Sequence, residues 1–420
     1  MKLGKMKNGM KGALIFSVTL LCCRAAWAAI ALLSPGNDES VVLLPDIQRE
    51  VMALGSYRER LEWCRGHSKA EGWRRSNPLV LKWRTTEGEK GPWRISVGKC
   101  ADLSDARIWY LASGKADETT GRVSGVRDHG DGAFSCEVPH ANLEVGRTYY
   151  WRIDYRGRCD AWNCGPDCSC PASKRVTQSP VGRFATGAQP PRWIALEGRV
   201  SNVRDLGGWR TEDGRRVRQG LAFRGQGLND NSVNGEVKGP NRLTVEDVGY
   251  LTDQLGIKTD LDLWAKYETA DLTESPLGPS VRFILRSSMC YRTIFDADGK
   301  RVMAENFRLF CRRENYPIYF HCIGGADRTG SLAYVLNGVL GVSRHDLETD
   351  WEETFYPRLP ELRPGYSGDN HWRRLQHLTD GFMKYGDAQS SWRCRIELYL
   401  LDCGITTEEI RRFQDIMTEK

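Results

Sequence analysis

The run His321-Cys322-Ile323-Gly324-Gly325-Ala326-Asp327-Arg328-Thr329-Gly330 leaves this chain few conformations. The apolar segment Pro317-Ile318-Tyr319-Phe320 leads into it, and Leu332-Ala333-Tyr334-Val335-Leu336 leads away. The pattern reads strand, tight loop, helix. Within the loop, Cys322 precedes Arg328, with Gly324 and Gly325 between them. A loop that closes over an anion turns successive backbone N–H groups inward, and glycine tolerates the backbone angles such a nest needs. Arginine offers a planar fork matched to two phosphate oxygens. The nest and the helix starting behind it favour a thiolate. The spacing therefore suits a phosphate dianion held against the Cys322 sulfur by the N–H groups of Ile323, Gly324, Gly325, Ala326, Asp327 and Arg328. The bland alternatives are a buried core cysteine for Cys322 and simple helix-start packing for Thr329.

Other segments belong with this loop. They are Asn202-Val203-Arg204-Asp205-Leu206-Gly207-Gly208, Gly220-Leu221-Ala222-Phe223-Arg224-Gly225, and Leu255-Gly256-Ile257 followed by Asp262-Leu263-Trp264. With His-Cys-x5-Arg-Thr-Gly they resemble the bacterial tyrosine phosphatase branch of the cysteine-dependent protein tyrosine phosphatase superfamily. The likeness spans roughly residues 195 to 420. Two positions depart from the branch: Ala326 stands where it has lysine, and Trp264 where it has arginine.

The resemblance implies an α/β catalytic domain with a central, mainly parallel sheet flanked by helices. It also implies phosphomonoester hydrolysis in two steps. The Cys322 thiolate attacks phosphorus and expels the alcohol, and water then hydrolyses the phosphocysteine. Arg328 and the loop N–H groups steady the equatorial oxygens. Thr329 matches the family hydroxyl that eases departure of the thiolate. No Trp-Pro-Asp loop occurs here, and Asp327 is the acid the branch favours, with Asp262 as runner-up. An aspartate there also suits a helix N-cap. His321 orients the cysteine rather than transferring protons. Arg204 and Asp205 read either as support for the phosphate loop or as a tight turn with a surface ion pair. The mechanism needs neither metal nor cofactor, and His345, His371 and His377 have no metal-ligand spacing.

Phosphotyrosine is the expected substrate class. An inositol phosphate or phosphoinositide is the alternative, weakened by Ala326, which removes a cation from the loop. A phosphate-binding module without turnover is a third reading, opposed by the intact Cys322, Arg328 and Thr329. The net charge of +6 is mild and dispersed, so nucleic acid is not an expected partner.

The N-terminus carries Lys2, Lys5, Lys7 and Lys11, an apolar run from Ala13 to Cys23, and Ala26-Trp27-Ala28. This is the plan of a signal peptide over residues 1–28, and it predicts a periplasmic or secreted protein. An uncleaved anchor would be its one route to a membrane. Cys159, Cys164, Cys168 and Cys170 then read as a disulfide-stapled loop, with a zinc knot as the alternative.

Residues 29–188 read as an all-β sandwich, with strands at 79–84, 93–97, 107–110, 143–154 and 182–186 and a helical stretch at 46–66. Leu143-Glu144-Val145-Gly146-Arg147-Thr148-Tyr149-Tyr150-Trp151 resembles a fibronectin type III domain, where a tyrosine locks a corner. Such a domain would act as a spacer, or as a module for protein or glycan. Residues 189–198, with Pro190-Pro191, read as a linker, and residues 199–420 as the catalytic domain.

Overall fold

The computed structural model describes residues 30–67, 75–86, 91–111, 125–156, 176–231, 237–241, 243–264, 272–354 and 368–419. The proposed leader and the cysteine cluster at 159–170 lie outside these residues. No helix among the described residues is long and apolar enough to cross a membrane.

The N-terminal part holds two sheets. One is ordered Ile30–Ser34, Val80–Thr85, Ala133–Glu137, Arg127–Gly130. The other runs Glu39–Val41, Gly182–Thr186, Thr148–Arg156, Trp93–Gly98, Arg107–Leu111, and Val176–Gln178 adds to Thr148–Arg156. Val80–Thr85 alternates strictly: Leu81, Trp83 and Thr85 are buried, and Val80, Lys82 and Arg84 are exposed. That period of two presents one face to the opposing sheet. Trp83 meets Trp93 across the gap edge-on at 5.3 Å, and Phe134, Trp151, Ile153 and Phe184 complete the same core. The Tyr149 hydroxyl accepts a hydrogen bond from the Glu144 backbone N–H at 2.9 Å, pinning the turn before its strand.

The expected helical stretch at 46–66 is two helices, Asp46–Met52 and Tyr57–Gly66. Ser56 starts the second with a reciprocal capping box to Glu59, which satisfies N–H groups that would otherwise be orphaned. Val51 and Cys64 from these helices join the core of the C-terminal part, not that of the sandwich.

The C-terminal part is mixed α/β. Its five-stranded sheet is ordered Arg204–Asp205, Ala222–Gln226, Ile318–Cys322, Thr259–Asp262, Arg282–Leu285. The first pair is antiparallel and the remaining pairs are parallel. Ile318–Cys322 is central and wholly buried, so it reads as a continuous apolar strand rather than an alternating one. Helices Ala297–Phe310, Asp327–Val339, Arg344–Glu353, Gly368–Phe382, Trp392–Asp402 and Thr407–Met417 accompany the sheet. Thr244 caps Val245–Gly249, and the helix then widens into a π turn, Tyr250–Gln254, before Gly256 ends it with φ 65°.

The residues read as a linker are packed rather than extended into solvent. Pro191, Arg192, Trp193 and Ile194 are buried. Arg192 donates to the Asn142 carbonyl at 2.7 Å and to Asp205 Oδ2 at 2.8 Å. Trp193 Nε1 donates to Gln48 Oε1 at 2.7 Å. Arg60 Nη2 donates to Glu352 Oε1 at 2.9 Å, both side chains being buried.

Candidate active site

Cys322 ends the central parallel strand, where ligands of open α/β sheets bind. The four residues Ile323–Ala326 turn the chain into the helix Asp327–Val339. Its N-cap is Ala326, which offers no capping side chain, so the helix opens onto the loop uncapped. Cys322 is buried, Ile323 exposed, and Asp327 and Arg328 are half-buried.

The loop is held from behind. Asn202 Nδ2 donates to the carbonyls of Gly324 at 3.1 Å and Gly325 at 3.2 Å. Arg224 Nη2 donates to the Gly325 carbonyl at 3.0 Å. In a trans peptide the C=O and the next N–H point in opposite directions. Pulling those two carbonyls back therefore aims the N–H groups of Gly325 and Ala326 forward. Gly325 has φ +65°, and an added Cβ would lie 2.3 Å from the Gly225 carbonyl oxygen, so no other residue fits there. At Gly330, an added Cβ would come within 2.9 Å of the Trp351 ring.

Arg204 and Arg224 share one counter-ion. Arg204 Nε lies 2.8 Å from Asp350 Oδ1, and Arg224 Nη1 lies 2.6 Å from Asp350 Oδ2. All three side chains are buried. Burial pushes the Asp350 carboxyl up, but the two guanidinium groups outweigh it and hold it below its ordinary value. Burial and the neighbouring Arg204 lower Arg224 to about 10, so it remains a cation behind the loop. Arg204 also donates to Asn202 Oδ1. Support for the loop is thus the geometry found for Arg204, and the surface-pair alternative fails because Arg204 and Asp205 are both fully buried. Asp205 does not reach the loop. Its carboxylate accepts from the N–H groups of Gly207 and Gly220 and from Arg192, tying the turn to the preceding segment.

A second buried cluster flanks the strand Ile318–Cys322. His321 Nε2 is 2.9 Å from Asp260 Oδ1, and its Nδ1 is 3.9 Å from Asp262 Oδ1. Burial lowers the His321 pKa, but Asp262 and Asp260 outweigh it and raise it overall. Burial, with Asp260 beside it, lifts Asp262 to about 6 against the pull of His321 and Arg328. Asp262 also accepts from the Trp264 N–H at 2.9 Å. Trp264, one of the two positions noted as departures, is buried in the core of the C-terminal part. Thr329 is fully buried, and its hydroxyl has no hydrogen-bond partner among the described residues.

Asp327 is the first residue of its helix and does not cap it. Its Oδ1 accepts from the Tyr291 hydroxyl and lies 3.3 Å from Arg374 Nη1. Cys290, the neighbour of Tyr291, is pushed to about 11 by burial and the Asp327 carboxylate, so it stays a thiol near neutral pH. Among the described residues, no group of three or more histidine, cysteine, aspartate or glutamate side chains is placed to hold a metal ion.

The sequence motifs contained Asn202 and Arg224 without revealing what they touch. Asp260, Asp350, Tyr291 and Arg374 carried no local signal, because each reaches the site from a separate element.

Residues 194–419 match the model of the tyrosine phosphatase family. No curated protein matches the chain. Among solved structures, the core catalytic domain of the PP-IP phosphatase SIW14 from S. cerevisiae, in complex with citrate, is similar at 13% identity and a TM-score of 0.22, covering 39% of this chain and 93% of that one. A structure of the Siw14 catalytic core gives 11% identity and a TM-score of 0.22, covering 39% of this chain and 92% of that one.

Proposed function

This chain belongs to the tyrosine phosphatase family and is a phosphatase of the tyrosine-phosphatase-like phosphoric monoester hydrolase class, and on that premise we propose that it hydrolyses phosphotyrosine-type aryl phosphomonoesters through a phosphocysteine at Cys322. The observation that carries this reading is the pair of loop carbonyls, Gly324 and Gly325, drawn back by Asn202 and Arg224. On this reading the forward N–H groups and the uncapped helix start receive one dianion, and Arg328 supplies its fork to the same group.

In the first step the Cys322 sulfur donates an electron pair to phosphorus and the P–O bond to the alcohol breaks. Asp327 gives its proton to the leaving oxygen. In the second step water attacks phosphorus, the S–P bond breaks, and Asp327 takes a proton from that water. Inorganic phosphate leaves, and the Thr329 hydroxyl hydrogen-bonds the departing thiolate. Asp262, near pKa 6 and close enough to Arg328 to feel its charge, is the second candidate acid.

Export through residues 1–28 and a fibronectin type III-like N-terminal domain belong to the same proposal. The first is supported by the lysine-then-apolar pattern, the second by the Tyr149–Glu144 corner. A panel of aryl phosphate, phosphotyrosine peptides, phosphoserine peptides, phosphoinositides and inositol hexakisphosphate, run on the mature chain, tests the substrate class. A phosphotyrosine peptide should give the highest kcat/KM. Preference for the inositol compounds would overturn the substrate assignment.

A further inference from the structure

Tyr291 begins the short 3-10 helix Tyr291–Phe295, a segment that none of the family motifs covers. Its φ is +54°, a left-handed conformation that costs a bulky side chain energy. Such a conformation persists where the surroundings fix it, and it often marks a functional position. Here every part of the residue is fixed. Its backbone N–H donates to Ser331 Oγ at 3.2 Å, and Ser331 Oγ donates to the Asp327 carbonyl at 2.9 Å, which ties Tyr291 to the first turn of the loop helix. Its ring meets Trp351 edge-on at 5.8 Å, and the Arg374 guanidinium lies over it at 5.2 Å. Its hydroxyl donates to Asp327 Oδ1. Burial and the Asp327 carboxylate push the phenol far above its ordinary value, so it keeps its proton and acts as a donor.

We propose that Tyr291 is a positioning residue for proton transfer: it occupies Asp327 Oδ1, together with Arg374, and so presents Oδ2 to the ester oxygen. This rests on the reading of Asp327 as the general acid. A half-exposed carboxylate at a helix start has free rotation about its side-chain bonds unless something holds it. Two donors converging on the same oxygen, from two different elements, fix both the rotamer and the choice of oxygen. Arg374 alone would not, because its guanidinium reaches across from the helix Gly368–Phe382, with 30% of its side chain exposed.

The test compares phenyl phosphate, with a poor leaving group, and an activated aryl ester such as 4-nitrophenyl phosphate, in the full mature protein. The readout is the ratio of their kcat/KM values, which reports the step that forms the phosphocysteine. Tyr291→Phe keeps the ring contacts and deletes one hydrogen bond. It should lower the phenyl-to-nitrophenyl ratio about tenfold, the loss expected for one charge-assisted bond. Asp327→Asn should lower the ratio further, within the range of about 10²–10⁴ that general acids contribute. In the Asp327→Asn background, adding Tyr291→Phe should change the ratio less than twofold. An unchanged ratio in Tyr291→Phe, with Asp327→Asn still selective for the poor leaving group, overturns the positioning role and leaves the acid assignment standing. A ratio unmoved by Asp327→Asn overturns the acid assignment itself. A lower ratio in the double variant than in Asp327→Asn alone, by more than twofold, shows Tyr291 acting independently of Asp327 and also overturns the proposal.

Discussion

Arg224 grips Asp350 with one terminal nitrogen, at 2.6 Å, and the Gly325 carbonyl with the other, at 3.0 Å. A single buried side chain thus joins the helix Arg344–Glu353 to the phosphate loop. With Arg204 on the other carboxylate oxygen, Asp350 neutralises one of two buried cations and leaves a net positive charge behind the loop. Asp350→Ala would strand two guanidinium groups in the interior. It should cost about 3–5 kcal/mol of stability, measured by urea unfolding, because an uncompensated buried charge is more costly than a lost pair. A loss below about 1 kcal/mol would mean that water or another carboxylate replaces Asp350.

Cys322→Ser should lower turnover of an aryl phosphate by about 10⁴-fold or more, as removal of a catalytic nucleophile does. Phosphate or phosphopeptide binding, followed by calorimetry, should survive. Incubation with a chelator should leave the wild-type rate unchanged. Retained turnover in the serine variant would remove Cys322 from the reaction.

Arg328→Lys keeps the charge and loses the fork. The bidentate match matters most as charge builds on the equatorial oxygens, so kcat should fall about 10²–10³-fold while KM changes little. A rise in KM at constant kcat would place Arg328 in substrate capture alone.

Gly325→Ala puts a Cβ 2.3 Å from the Gly225 carbonyl oxygen in a backbone conformation that alanine resists. The loop must shift to accept it. Activity should drop at least about 10²-fold while the cooperative unfolding transition persists, since reacting groups misplaced by an ångström cost about that much. Near-normal activity would show that the loop carbonyls are free to turn.

The Asp262 carboxyl sits near 6, above its ordinary value near 4. Between about pH 4 and 6 the folded protein keeps a proton that the unfolded chain releases. The stability from this proton is complete below pH 4 and is lost as pH rises through 6. Wild type minus Asp262→Asn, compared by denaturant unfolding, should therefore fall by roughly 2 kcal/mol between pH 4 and 7. His321, Asp260 and Arg328 face the group, and because Asp262 also raises His321, the imidazole is titrated separately by NMR in both proteins and its contribution subtracted. A difference that grows with pH would mean that Asp262 is held as a carboxylate.

The catalytic loop was legible because strand, turn and helix there are written in adjacent residues, and local chemistry decides each. The groups behind the loop were not. Asp350 meets Arg204 from 146 positions away and Arg224 from 126, and no local pattern marks a partner at that range. The helix Ala297–Phe310 carries Asp298-Gly299 in its first turn, a pair common in turns. A Cβ on that glycine would lie 1.9 Å from the Thr293 carbonyl oxygen, so the close approach of the preceding 3-10 helix excludes a side chain there. The corner tyrosine was expected from a resemblance in pattern; the structure gives Tyr149 a bond from the Glu144 N–H, five residues away.

Val145 and Gln219 exchange two hydrogen bonds of 2.9 Å, the Val145 N–H to the side-chain oxygen and the side-chain amide to the Val145 carbonyl. Gln219 thereby offers the sandwich the donor and acceptor that a neighbouring strand would offer. Arg192, bonded to the Asn142 carbonyl and to Asp205, fastens the same two parts elsewhere. Such a joint behaves like the fixed jaw of a caliper rather than a tether. A ligand gripped by the sandwich would be presented to Cys322 at a set offset, so the spacing between a docking feature and the phosphate would itself become a selection rule.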